Sequence, residues 1–154
     1  MKIKMLGTTV ALAVMTTAVC FASPQIGSWK LNAAKSMFPS GMVKTDTVLY
    51  ENVGDDVRIT VDGTGADGKA THSVWLGKFD GRDYPVTGDH SNGDQRSYRT
   101  VDANTLEMIA TNDGKVTATG QIVLSEDGKT RIVTLSRADA EGKNVSSSAV
   151  YDRQ

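Results

Sequence analysis

From residue 43 onward, apolar and polar side chains alternate with a period of two, in short runs cut by glycine-containing turns. Val57, Ile59 and Val61 alternate with Arg58, Thr60 and Asp62; Leu106, Met108 and Ala110 with Glu107, Ile109 and Thr111; Ile132 and Thr134 with Val133 and Leu135. This period puts successive residues on opposite faces of a strand. Between the runs stand Gly54-Asp55, Asp67-Gly68, Asp80-Gly81, Asn92-Gly93, Asp113-Gly114, Asp127-Gly128 and Glu141-Gly142, with Asp102-Ala103-Asn104 as a further turn. Asn-Gly and Asp-Gly supply the positive φ that tight hairpins require. Ten strands are expected, over 28–33, 43–52, 57–62, 70–79, 82–87, 95–101, 105–111, 116–124, 130–137 and 144–152. No segment after Ala22 keeps a 3.6-residue apolar period, and the best helical stretch is a turn or two near 33–37, ended by Pro39 and Gly41. Consecutive antiparallel strands in such number curl, and closure removes both unpaired edges. The expected fold is all-β, an up-and-down antiparallel β-barrel of eight to ten strands, with an open sheet or sandwich as the competing architecture.

The start of the chain follows a different pattern. Lys2 and Lys4 precede an apolar run over residues 5–19, and the small residues Ala22 and Ser23 follow. These are the n-region, h-region and cleavage site of a Sec signal peptide over 1–22, which leaves 23–154 as one barrel domain. Cleavage is placed after Ala22, because cleavage after Ser23 would put Pro24 at the first mature position. A membrane anchor competes, but the run is short against the roughly 20 apolar residues a span needs. Lipidation at Cys20 also competes, although Val19 stands where a lipoprotein signal carries Gly, Ala or Ser. The expectation is a periplasmic or secreted protein with no transmembrane segment once the signal is removed. Cys20 is the only cysteine, so the mature part would hold no disulfide, thiolate nucleophile or Cys-metal site.

The 154 residues include 17 Lys and Arg against 18 Asp and Glu; without Lys2 and Lys4 the mature part has 15 basic residues and a formal charge of −3. That balance argues against nucleic acid as a partner and gives no polybasic face for anionic lipid. A hydrophobic fraction of 39%, with 15 glycines and only 3 prolines, suits a turn-rich fold with a small core.

Gly27-Ser28-Trp29-Lys30-Leu31 resembles the Gly-x-Trp signature that opens the lipocalins and the fatty-acid-binding proteins, together the calycin barrels. Ala149-Val150-Tyr151-Asp152-Arg153 is similar to the closing strand of the fatty-acid-binding proteins. Residues 78–88 and 101–107 resemble segments of small exported bacterial proteins described as lipocalin-like. The resemblance implies a barrel whose interior takes a small hydrophobic ligand. It also implies a structural signature in which Gly27 and Trp29 open the first strand, Trp29 packs across one end, and Arg153 covers it through a cation–π contact. The chain departs from the fatty-acid-binding proteins at Ala149, where they carry an arginine that holds the ligand carboxylate. It also leaves too little sequence between its first two strands for their paired helices over the barrel mouth.

Alternation nominates the lining. Thr71, Ser73, Trp75, Gly77 and Phe79 share one face of a strand, and the aromatic face is expected inward. Trp75, Phe79, Tyr84, Tyr98 and Tyr151 are then candidates to contact a ligand through apolar rings with polar tips. Gln95-Arg96-Ser97-Tyr98-Arg99 puts an arginine on each face, and Arg99 is taken as the candidate anchor for an anionic head group. The competing reading has these rings filling the barrel and the arginine head in solvent.

Little in the sequence speaks for catalysis. His72 and His90 lie on a strand and in a turn, without a third convergent ligand for a metal. Asp89, His90 and Asp94 lack the ligand order of a calcium loop. No phosphate-cradling loop, nucleophile elbow or dinucleotide fingerprint occurs, and Ser146-Ser147-Ser148 has no positioned base. No enzyme activity, cofactor or metal is expected. Two readings lead: a carrier of a small hydrophobic or amphipathic molecule, and a protein-interaction or inhibitor module with a packed barrel. The first predicts an apolar cavity of at least about 300 Å³, the second a filled interior with an exposed patch.

Overall fold

The computed structural model describes residues 23–39, 42–90, 93–139 and 141–154; the expected signal peptide lies outside them. Ten strands follow in chain order: β1 (Gly27–Leu31), β2 (Lys44–Val53), β3 (Asp56–Thr64), β4 (Ala70–Gly77), β5 (Tyr84–Gly88), β6 (Gln95–Thr100), β7 (Thr105–Asn112), β8 (Lys115–Leu124), β9 (Thr130–Ala138) and β10 (Asn144–Arg153). Each pairs antiparallel with the next, and β10 returns to β1 through Trp29↔Arg153, Lys30↔Asp152 and Leu31↔Tyr151, so the barrel is closed. The only helical element among the described residues is a 3-10 turn at Ala33–Lys35. The alternation and the turns thus yield the all-β up-and-down barrel expected from them, at the upper end of the strand count.

Turn chemistry sets the hairpins. Between β7 and β8, Asp113 and Gly114 have φ of 48° and 74°, so both central residues are left-handed and join the paired Asn112 and Lys115 in two residues. Elsewhere aspartates fold the chain on themselves. Asp67, Asp80, Asp102 and Asp127 each accept, on Oδ1, the amide two residues onward. These bonds favour the charged carboxylate and hold Asp67, Asp80 and Asp102 below the usual range, with the Ser125 hydroxyl leading at Asp127. Much of the acidic content is therefore turn architecture.

Two register shifts correct the facing of the interior. One, between Thr45 and Thr47 in β2, leaves Asp46 as the extra residue, exposed and accepting a bond from the Thr64 hydroxyl. Because of it Val43 and Thr45 point inward together with Val48 and Tyr50, two sets of opposite parity. The other lies between Ala110 and Thr111 in β7.

The two ends of the barrel differ. At the end carrying the β2–β3, β4–β5, β6–β7 and β8–β9 turns, Trp29, Tyr50, Ile59, Trp75, Tyr98, Leu106 and Leu124 are buried in one cluster. Residues 23–26 close this end. The Trp29 indole donates to the Gln25 carbonyl at 2.9 Å, and Gln25 is itself buried. Arg153 lies 4.3 Å from the Trp29 ring centroid and donates to the carbonyls of Ile26, Pro24 and Gly128. Gly27 makes room for it, since a Cβ there would stand 2.7 Å from Arg153 Nη1. No helix among the described residues is long and apolar enough to cross a membrane.

Candidate functional site

A cavity of about 130 Å³ occupies the other half of the barrel. Thr71, Val43 and the exposed Asp89 line it toward the open end; Tyr50, Ile59, Tyr98, Ile122 and Arg131 line it toward the closed end. Its wall is apolar in Val48, Val61, Met108, Val133 and Leu135, and polar in Thr45, Ser73, three tyrosines and two arginines. The volume is less than half of the few hundred Å³ that the carrier reading predicts. The reason is the aromatic cluster, which fills the closed half.

That cluster is built around Trp75. Phe79 stacks on it at 6.1 Å with planes 16° apart, while Tyr98 and Tyr84 meet it edge-on at 4.8 and 5.6 Å. The indole donates to the Arg96 carbonyl at 2.8 Å. Gly77 admits the packing, because a Cβ there would lie 2.5 Å from Tyr84 Cγ and 2.8 Å from Trp75 Cζ2. Of the residues proposed to contact a ligand, Tyr98 and Tyr151 line the cavity, whereas Trp75, Phe79 and Tyr84 do not. Those three are core. Tyr84 sits at the rim of the cluster and donates its hydroxyl to Asp80.

Arg99 also stands apart from the cavity. It lies on the outer face of β6, opposite Glu107 in the register, and pairs with that carboxylate in solvent. Tyr98 is inward, so the period of two sends Arg99 out and brings Arg96 in, and Arg96 lines the cavity.

The chief residue that sequence reasoning passed over is Arg131. It is 1% exposed at the cavity floor, among the rings of Trp29, Tyr50 and Tyr151, whose centroids lie 4.7, 4.7 and 5.1 Å from its guanidinium carbon. In β9 Arg131 has the parity of Val133 and Leu135, but the opposite parity carries the apolar Ile132, so alternation alone does not mark it as inward. Tyr50 shares the parity of Val48 in β2 and was legible from it.

The floor is electrostatically distinctive. Burial pushes the Tyr50 phenol up, against the pull of the Arg131 and Arg96 cations. Burial likewise pushes Tyr151 up to about 12, against Arg131 and the bond its hydroxyl donates to the Thr45 carbonyl at 3.1 Å. Both are neutral hydroxyls at physiological pH. Nothing comparable gathers around the histidines: His72 Nδ1 meets Asp62 at 2.6 Å in solvent, and His90 Nδ1 meets the Gly88 carbonyl. Among the described residues no group of three or more His, Cys, Asp or Glu side chains is placed to hold a metal ion.

No protein-family model and no curated protein matches this chain. Among solved structures, that of EF1p2_mFAP2b bound to DFHBI superposes with a TM-score of 0.49 and 12% identity, over 85% of this chain and 94% of that one.

Proposed function

We propose that this chain is an exported, lipocalin-like binding protein that holds a small hydrophobic or amphipathic molecule in the open half of its barrel, without catalysing a reaction. The observation that carries the reading is the cavity, walled by Val48, Val61, Ile122, Val133 and Leu135 with phenol and guanidinium groups at its base. Apolar walls with a few convergent polar groups are the usual make-up of a ligand pocket. The volume sets the size of the occupant. An engineered cavity of about 150 Å³ holds benzene, so this one suits a single ring or a short branched chain, with any remainder at the mouth. Export to the periplasm or the medium is supported by Lys2, Lys4, the apolar run that follows and the small residues at 22 and 23.

Native mass spectrometry of the protein purified from its own host, followed by organic extraction, tests the proposal. A stoichiometric small-molecule adduct supports it. Bare protein that also fails to bind apolar dyes refutes it and favours the interaction module, for which the outer face offers Val123 and Ile132, cross-strand neighbours exposed by 38% and 46%.

A further inference from the structure

The cavity floor holds more positive charge than the protein neutralises. Arg131 is almost wholly buried, yet its Nε and Nη1 have no hydrogen-bond partner, and neither does the buried Nε of Arg96. Among the described residues neither guanidinium takes part in an ion pair; the five pairs present are Lys69–Asp67, His72–Asp62, Lys78–Asp56, Arg82–Asp80 and Arg99–Glu107. The rings around Arg131 stabilise the faces of a guanidinium, but its in-plane N–H donors need acceptors that a ring face does not give. Acceptors are scarce nearby. Among the described residues the only carboxylate lining the cavity is Asp89, exposed at the mouth, where its Oδ2 accepts the His72 amide. Asp94, two residues before Arg96, has a buried Oδ1 that likewise lacks a hydrogen-bond partner, and it is in none of those five ion pairs; Asp46, near Tyr151, is exposed and engaged by Thr64. Tyr50 and Tyr151 supply no charge, since burial keeps both neutral at physiological pH.

Burying a cation is costly unless it is paired and hydrogen-bonded. Here three donors, on residues from β6 and β9, remain unmatched around one void. We propose that this floor recognises an anionic oxygen group, a carboxylate in the simplest case, on a ligand of single-ring size, with Arg131 and Arg96 taking the charge, Tyr50 engaged with Arg131 and the Tyr98 hydroxyl beside them. The inference rests on the ligand-binding reading and narrows it to acids. The donors come from the ninth and sixth strands, not from the closing strand, where Ala149 stands.

The test compares benzoate with benzamide, which match in ring size and differ in charge. Binding is followed by titration in ¹H–¹⁵N correlation spectra that report the arginine Nε–H and tryptophan Nε1–H signals of the purified protein. Benzoate should bind roughly ten-fold or more tightly than benzamide, as a charge-assisted bond predicts, and should shift the Arg131 and Arg96 Nε–H signals. In Arg131→Met and in Arg96→Met that preference should collapse toward unity while benzamide affinity stays within about two-fold. Should Arg131→Met fail to fold, Arg131→Lys keeps a charge but loses the planar fork, and should lose most of the preference. Equal affinities for the two probes, or a neutral molecule extracted from the native protein, would overturn the acid preference and leave the binding reading standing. No binding of either probe, with no adduct on the native protein, would remove both.

Discussion

Truncating Trp75 to alanine separates a core ring from a ligand-contacting one. The side chain is 1% exposed, touches Phe79, Tyr84 and Tyr98 ring to ring, and donates to the Arg96 carbonyl. Removing a buried tryptophan costs roughly 3–5 kcal/mol when the surroundings relax only in part. Two features put this site at the upper end. Three aromatic pairs are lost, each worth about 0.5–1.5 kcal/mol beyond area burial, and the Arg96 carbonyl loses its donor inside the barrel. A loss of about 5 kcal/mol is therefore expected, against a total stability of roughly 5–15 kcal/mol for a domain of this kind.

In equilibrium urea unfolding followed by far-UV circular dichroism, with a slope of about 2 kcal/mol/M, the midpoint should fall by about 2.5 M. Trp75→Phe, which keeps a ring against Phe79 and Tyr98 but loses the indole donor, should fall by roughly 1 M on the same scale. A midpoint lowered by less than about 0.5 M in the alanine variant, at unchanged slope, would refute the assignment of Trp75 to the core. It would mean that the closed half tolerates a void of indole size, and the boundary drawn between core and cavity would be wrong.

Three further outcomes are expected. Tyr151, raised from 10.0 to about 12, is neutral in both states below pH 10; above it the unfolded chain ionises first, so stability falls as pH rises from about 10 to 12, by roughly 2–3 kcal/mol from this residue. Alkaline unfolding curves should show that loss, and Tyr151→Phe should remove it. Gly77→Ala places a methyl group against Tyr84 and Trp75 and should cost about 2 kcal/mol by overpacking, read as a lowered Tm, with little effect on ligand binding. Arg153→Met, which loses donors to Pro24, Ile26 and Gly128, should speed hydrogen exchange at the Trp29 indole and cost about 2–3 kcal/mol, measured by urea titration.

The hairpin plan was legible because two local signals agree along the chain. Period-two alternation gives the faces, and residues such as Asp113-Gly114 give the reversals, so all ten strands fall where the pattern puts them, with ends displaced by a few residues. What the pattern does not carry is the phase change inside a strand. The shift at Thr45/Thr47 has no glycine or proline within β2 to mark it, only Gly63 across the pairing in β3, and across it inward residues change from odd to even numbers. Such a shift is settled by pairing with β3, a tertiary event.

The site itself was only half legible, for a related reason. Alternation sorts residues clearly when one face is polar, but in β9 the outward Ile132 is apolar and 46% exposed, beside the inward Val133. With both parities apolar, the strand does not say on which face Arg131 lies, and the ordinary expectation for an arginine is solvent. In β6 the two arginines stand on opposite faces, so the facing of Tyr98 alone decides which is inward; a buried Tyr98 selects Arg96. Apolar pattern thus locates the wall of the barrel and misses the charges set into it. Those charges break the local rule that cations face water, and sequences keep such exceptions chiefly where function requires them. The closed half of this barrel obeys the rule ring by ring, from Trp75 to Tyr84. The departures, Arg131 and Arg96, both line the cavity beside those rings, which is why acid recognition is the first chemistry to test there.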